Sequence, residues 1–195
     1  MSEQHNPAGG LPERDEEAAR LETRVADALD LARRGGADQA EATASLQGGL
    51  NVTVRLGEVE TIEHTRDRGL SVTVYIGRSK GHASSADLSD RSLRESVAHA
   101  LDIARYTAED PCNGLADANR MATDFPDLDL WHPRALDADE AIERCQLMEA
   151  AGREDPSIRN SEGASVSGSF GVTVYGNSHG FLGRSDGTRY GQSCV

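Results

Sequence analysis

The residues able to do chemistry are few and scattered. His82 and His179 follow two copies of one pattern, SVTVYIGRSKGH (Ser71 to His82) and GVTVYGNSH (Gly171 to His179). If the copies are equivalent turns of related units, the two imidazoles could touch a common substrate. Without partners at fixed spacing, these two and His64 read as polar residues at strand ends, because metal binding and general-base work both need a second positioned group. His99 sits in a helical stretch and His132 precedes Pro133, again without metal-ligand spacing.

The cysteines point the same way. Cys112 lies in Asp-Pro-Cys-Asn-Gly, close to Glu109 and Asp110. A reactive thiolate needs a neighbouring cation or a helix N-terminus, and these neighbours are acids. Cys145 reads as a small apolar residue on a helix face. With Cys194 they make three well-separated cysteines, which fits reduced thiols in a cytoplasm and no disulfide framework. There is no H-E-x-x-H, no C-x-x-C and no glycine-rich phosphate loop ending in Gly-Lys-Ser/Thr, and a G-x-S-x-G nucleophile elbow is not expected. No catalytic or metal residue is assigned, the chain is expected to hold no cofactor of its own, and substrate-binding residues stay unassigned.

Composition narrows the partners. The formal charge of −13 leaves no basic footprint for phosphates, so nucleic acid and anionic membrane surfaces are not expected partners. No apolar run reaches the ~18–20 residues of a spanning helix, and the polar N-terminus carries no signal-peptide core. Aromatic residues are only 4%, so the core must be built from Ala, Val, Leu and Ile. At 195 residues, such a core can be sizeable.

The elements that would position these residues follow from periodicity. Residues 1–12 have none and read as a disordered tail. Ala18, Leu21, Val25, Ala28, Leu29 and Ala32 recur at helical spacing, and Gly35-Gly36 ends that helix. The period then becomes two. QAEATASL, LNVTVRL, VETIEHT, LSVTVYI and HASS alternate apolar and polar residues, with turns expected at Gly48-Gly49, Gly57-Glu58, Asp67-Arg68-Gly69 and Gly77 to Gly81. A second helix is capped by Ser89 or Asp90 and carries Leu93, Val97, Ala100, Leu101 and Ala104. These elements make a first α+β domain, residues 13–108: an antiparallel β-meander with helices packed on one face.

An extended acidic connector, residues 109–135, holds Pro111, Pro126, Pro133 and the only tryptophan, Trp131, read as its anchor. A second, truncated α+β unit, residues 136–195, repeats the pattern. Asp137 and Glu140 have capping-box spacing, Leu136 and Ala141 could staple, and Ile142, Cys145 and Met148 share a helix face. The strands RNSEGASVSGS, FGVTVYG, HGFLGRS and TRYGQSCV follow. Asn160 to Ser169 could present backbone to a peptide, or form an ordinary strand. The pattern reaches Val195 without a turn, as if cut within a domain.

Several blocks together carry a resemblance: GEVE (Gly57 to Glu60), Val72 to Ser89, ALDIARYTAEDPCNGLAD (Ala100 to Asp117), PDLDLWHP (Pro126 to Pro133) and NSEGASVSGSFGVTVYGNSHGFL (Asn160 to Leu182). In this order they resemble the N-terminal part of the PmbA/TldD metallopeptidase family, on its PmbA (TldE) branch. The resemblance implies a cytoplasmic heterodimer that cleaves unfolded or short peptides, in peptide-antibiotic maturation and antitoxin turnover. It places the zinc in the C-terminal domain of a TldD-type partner subunit, on a His-Glu-x-x-x-His helix with a further cysteine. Nothing here matches that motif, so no ligand is carried over, and this chain is expected to be scaffold and substrate chamber. The alternative is a non-enzymatic peptide-binding or regulatory module, in keeping with the family's older description as a DNA gyrase modulator.

Overall fold

The computed structural model describes residues 13–122 and 125–195. The tail expected over residues 1–12 lies outside them. The chain runs α1 (Arg14–Arg34), β1 (Gln39–Arg55), β2 (Glu58–Ile76), β3 (Ser79–Ser85), α2 (Asp90–Tyr106), a short 3-10 turn (Ala118–Arg120), α3 (Ala138–Gly152), β4 (Ala164–Asn177) and β5 (Leu182–Cys194). The strands form one antiparallel sheet in the order β3-β2-β1-β4-β5. This is the expected α+β class. β3-β2-β1 is the expected meander, and the strands after α3 join the same sheet rather than building another.

The strands are fewer and longer than the glycines suggest. Gly48-Gly49 and Asp67-Arg68-Gly69 do not turn the chain. Gly48 pairs with Arg66 on one side and Phe170 on the other, and Gly69 pairs with Ser45. Gly48, Gly49 and Gly69 are absent from the positive-φ glycines. At Gly48 and Gly49 close approach is what selects glycine: a Cβ on Gly48 would lie 2.6 Å from the Phe170 ring, and one on Gly49 2.6 Å from the Gly168 carbonyl oxygen. Likewise SVSGSFGVTVY is one strand, and LGRSDGTRYGQSC another. Residues 159–163, expected in a strand, precede β4. The β2–β3 turn is Gly77-Arg78, and Gly81 lies inside β3 opposite Val74.

Alternation fixes which face is core. Ala40, Ala42, Ala44, Leu46, Leu50, Val52 and Val54 of β1 are all buried on one side. α1 and α2 cover the first four, with Leu70, Val72, Val74, Val172 and Val174. α3 covers the last three, with Ala164 and Val166. A single strand thus spans both helical layers. On α3 the buried stripe is Ala141, Cys145 and Glu149, with Ile142 and Met148 partly buried beside it. Ser89 and Asp137 cap α2 and α3 through side-chain oxygens, as their spacing suggests. Glu140 instead pairs with Arg134 and Arg144.

The opposite face is polar, with Gln39, Glu41, Thr43 and Ser45 on β1 opposite Tyr75, Thr73, Ser71 and Gly69. The connector crosses one end of it. Asp110 N–H donates to the Arg78 carbonyl (3.1 Å), Leu115 N–H to Gln39 Oε1 (2.8 Å), and Asn177 Nδ2 to Met121 Sδ (3.8 Å). It then passes the β5 edge, where Thr188 N–H donates to the Leu130 carbonyl (2.9 Å), and delivers α3 to the core face. Trp131 packs on the larger core and meets Phe170 edge-on, centroids 6.3 Å apart, so it is the connector's anchor.

Candidate functional site

The two Val-Thr-Val-Tyr strands flank β1, and their tyrosines converge on one carboxylate. Tyr75 OH donates to Glu41 Oε1 (3.2 Å) and Tyr175 OH to Glu41 Oε2 (2.9 Å). Asn177 Nδ2 reaches the Tyr175 oxygen at 3.4 Å. Register explains the meeting: Glu41 pairs with Asn177, Thr43 with Tyr175 and Gln39 with Tyr75, all on the polar face. The repeated pattern therefore brings two phenols to one acceptor beneath the connector. Burial, then the Glu41 charge, pushes the Tyr75 phenol up to about 12. Burial is also the leading cause of the upward shift at Tyr175, with Glu41 adding to it.

These shifts carry a sign. A phenol whose folded pKa is raised favours the neutral form, so its contribution to stability is complete below the ordinary value of 10.0 and is lost as the pH climbs through about 12. Native protein should show a late alkaline phase of tyrosinate absorbance that shrinks in Tyr75→Phe and disappears on unfolding. A single early transition in the native protein would contradict the cluster.

Next to the pair, connector and sheet enclose a cleft of about 510 Å³ lined by Phe125, Trp131, Thr173, Tyr175, Phe181 and Arg184, among others. Phe181 stands 5.8 Å from Phe125 and 5.9 Å from Tyr175, centroid to centroid. At its rim Arg14 meets Asp186 at 3.4 Å and Arg184 meets Asp15 at 3.0 Å. Arg14, then Arg184, holds the Asp15 carboxyl below its usual range. Aromatic walls with charges at the mouth suit an apolar group. A smaller cleft, about 240 Å³, opens on the core face between the two helical layers, where His64, Arg66, Arg134 and Phe170 meet.

The sequence candidates do not come together. His82 is on β3 with Nδ1 3.1 Å from Thr73 Oγ1, while His179 lies in the β4–β5 turn, its N–H donating to Asn177 Oδ1 (3.0 Å). Three strand spacings, roughly 14 Å, separate β3 from β4. His132 Nε2 contacts the Asp129 carbonyl at 2.7 Å, and His99 is exposed on α2. Cys112 and Cys194 are exposed, and Cys145 is buried with its thiol pushed up by that burial. Ala164 to Ser169 is paired on both sides, so this stretch is an ordinary inner strand and offers no backbone to a peptide.

Two features escape sequence reasoning. Contrary to the expectation that no such pattern occurs, Gly176-Asn177-Ser178-His179-Gly180 has the G-x-S-x-G form of a hydrolase nucleophile turn. That turn requires a strand leading into a helix, and here it joins two strands. The Ser178 oxygen accepts from Ala40 N–H (3.0 Å) and its N–H donates to the Ala40 carbonyl (2.8 Å), so the serine closes the sheet end. The second feature is Glu149, only 1% exposed. It accepts from Leu56 N–H and Gly57 N–H (2.8 Å each) and from Ser161 Oγ (2.5 Å). The Ser161 bond, aided by the two N–H groups, holds its carboxyl low against the cost of burial. An acid four residues after Cys145 and eight after Ala141, on the buried stripe, was the available signal.

Zinc does not fit the donor set: among the described residues no three His, Cys, Asp or Glu side chains gather as a metal site. No described helix is long and apolar enough to cross a membrane.

Two family models match, PmbA/TldA metallopeptidase domain 1 over residues 48–104 and the central domain of the same family over residues 131–195. The chain is 48% identical over 177 residues to the metalloprotease PmbA of Escherichia coli O157:H7, covering 90% of this chain and 39% of that protein. It is 45% identical over 175 residues to the PmbA homologue of Haemophilus influenzae, covering 89% and 39%. It therefore spans about two fifths of the relatives' length. Among solved structures, a Bacteroides thetaiotaomicron protein named for modulation of DNA gyrase superposes with a TM-score of 0.77 at 22% identity, covering 93% of this chain and 40% of that one. TldE of Thermococcus kodakarensis gives 0.68 at 15%, covering 85% and 37%.

Proposed function

Since the chain belongs to the PmbA/TldA metallopeptidase family, matching the N-terminal part of PmbA-type members, we propose that it is the scaffold portion of a non-zinc subunit in a cytoplasmic peptidase whose zinc sits in a TldD-type partner. The supporting observation is the identity to relatives named PmbA, 48% over 177 residues and 45% over 175. The relatives are named metalloproteases, and among the described residues no three His, Cys, Asp or Glu side chains gather as a metal site. The sheet and connector would wall a chamber that admits extended chains only. Its aromatic cleft would receive an apolar side chain of the incoming peptide.

The test is reconstitution. Full-length protein mixed with its TldD-type partner should cleave unfolded peptides faster than the partner alone, and the purified 195-residue chain should carry no stoichiometric zinc. Equal cleavage by the partner alone, or tight zinc in this chain, would reject the reading. A second reading, peptide capture without cleavage, rests on the same cleft. It is favoured if peptide binds the isolated chain and Phe181→Ala weakens that binding roughly tenfold, while reconstitution adds no cleavage.

A further inference from the structure

β3 pairs with β2 only from Leu70 to Ile76. The rest of β2, Glu58 to Arg68, has β1 on one side and, among the described residues, no strand on the other, and every residue in it is exposed. At about 3.4 Å per residue this is an open edge of roughly 35 Å. Alternate N–H and C=O groups along it face outward, the template that a further strand needs. Ile62 is 45% exposed and Val59 43%, so the edge is not purely charged.

The sequence of this edge, EVETIEHTRDR, has acids in its first half and arginines in its second. Laid antiparallel against itself with Glu63 at the centre, it places Glu60 opposite Arg66, Glu58 opposite Arg68, Thr61 opposite Thr65 and Ile62 opposite His64. Each pairing occurs twice by symmetry. Sliding by one residue either way sets Glu58 or Glu60 opposite Asp67. Sliding by two keeps only one Glu–Arg pairing in each half. Opposite-charge and Thr–Thr pairs are the favourable cross-strand combinations, and like charges directly opposite are unfavourable. Glu60 is also the residue that the β1–β2 register shift leaves without a β1 partner. A bulge and charges commonly protect an edge, but protection alone does not require the charges to be self-complementary in one register.

We propose that this edge pairs with the same edge of a second copy, in an isologous antiparallel contact with its two-fold axis at Glu63, making one sheet continuous through both copies. The occupant is a second copy because the charge order complements itself. The proposal is independent of the peptidase reading, since it concerns this chain alone.

The test is the mass of the 195-residue chain by sedimentation across a concentration series. A reversible dimer is expected. Glu60→Arg alone or Arg66→Glu alone should weaken it by roughly tenfold or more, and the double exchange should restore it. Glu63→Gln, which removes the like-charge pair on the axis, should tighten it. Covalent trapping gives a second readout. With Cys112 and Cys194 replaced by serine, Glu63→Cys should oxidise to a disulfide dimer, because symmetry sets this position opposite itself within disulfide reach. Thr61→Cys, whose opposite is Thr65, should not. A monomer at every concentration, a failed charge-exchange rescue in folded protein, or equal cross-linking at both cysteines would overturn the pairing.

Discussion

Glu149→Ala is expected to destabilise the protein by about 3–5 kcal/mol, measured by chemical denaturation, a large share of a typical total of about 5–15 kcal/mol. The size follows from what the carboxylate holds. The β1–β2 turn is the two residues Leu56 and Gly57, with φ of 54° and 84°. Positive φ at both positions matches the twist of a hairpin, but a leucine there is strained. Glu149 receives both turn N–H groups while Ser161 Oγ donates to the same carboxylate, so α3, the hairpin tip and the approach to β4 share one acceptor. Alanine would orphan all three donors. Glu149→Gln keeps an acceptor oxygen and should cost less.

The charge also predicts a pH dependence. The folded carboxyl lies below its ordinary value of 4.5, so its stabilisation is present above that pH and is lost as the pH falls through the lower folded value. Glu149→Gln should flatten the acid limb of the stability profile. An unchanged limb, or an alanine variant within about 1 kcal/mol of the parent, would contradict this role.

Gly81→Ala should cost about 3 kcal/mol in the same assay, at the upper end of ordinary overpacking. A Cβ at this position would stand 1.9 Å from the Ala100 carbonyl oxygen and 2.7 Å from the Ala104 nitrogen. Both are backbone atoms of α2, so no rotamer change or side-chain truncation on the helix can make room. The helix must lift from β3, opening the core around Val97, Ala100, Leu101 and Ala104. Gly171→Ala is the matched control. Its nearest neighbour would be Gln47 Cγ at 3.7 Å, an ordinary contact, and it should be close to neutral. Equal effects at the two glycines would show that strand propensity, not close approach, sets the cost.

These sites show what the sequence could and could not reveal. The helices were legible because their apolar stripes and caps are local, and the α+β class follows from helices flanking alternating strands. Strand ends were not legible. Gly48, Gly49 and Gly69 look like turns in isolation, and only the Phe170 ring and the Gly168 carbonyl show that Gly48 and Gly49 admit close neighbours. Val-Thr-Val-Tyr was visible twice as a pattern, but its meaning needed the pairing of β1 with both β2 and β4. Glu41 carries no local mark, because its partners, Tyr75 and Tyr175, lie far along the chain. Glu149 was readable as an acid at an apolar position of α3, while its backbone donors were not.

The central place of β1 has a consequence for how the molecule assembles. Its β2 side closes through a tight hairpin as soon as that hairpin is made, but its β4 side waits for residues 164–177. During synthesis at about 5–20 residues per second, that flank stays open for roughly ten seconds. Closing so distant a contact is slow relative to hairpin formation. Nascent chains are therefore most vulnerable to aggregation in this interval, and the last large gain in protection from amide exchange should come when β4 zips onto β1.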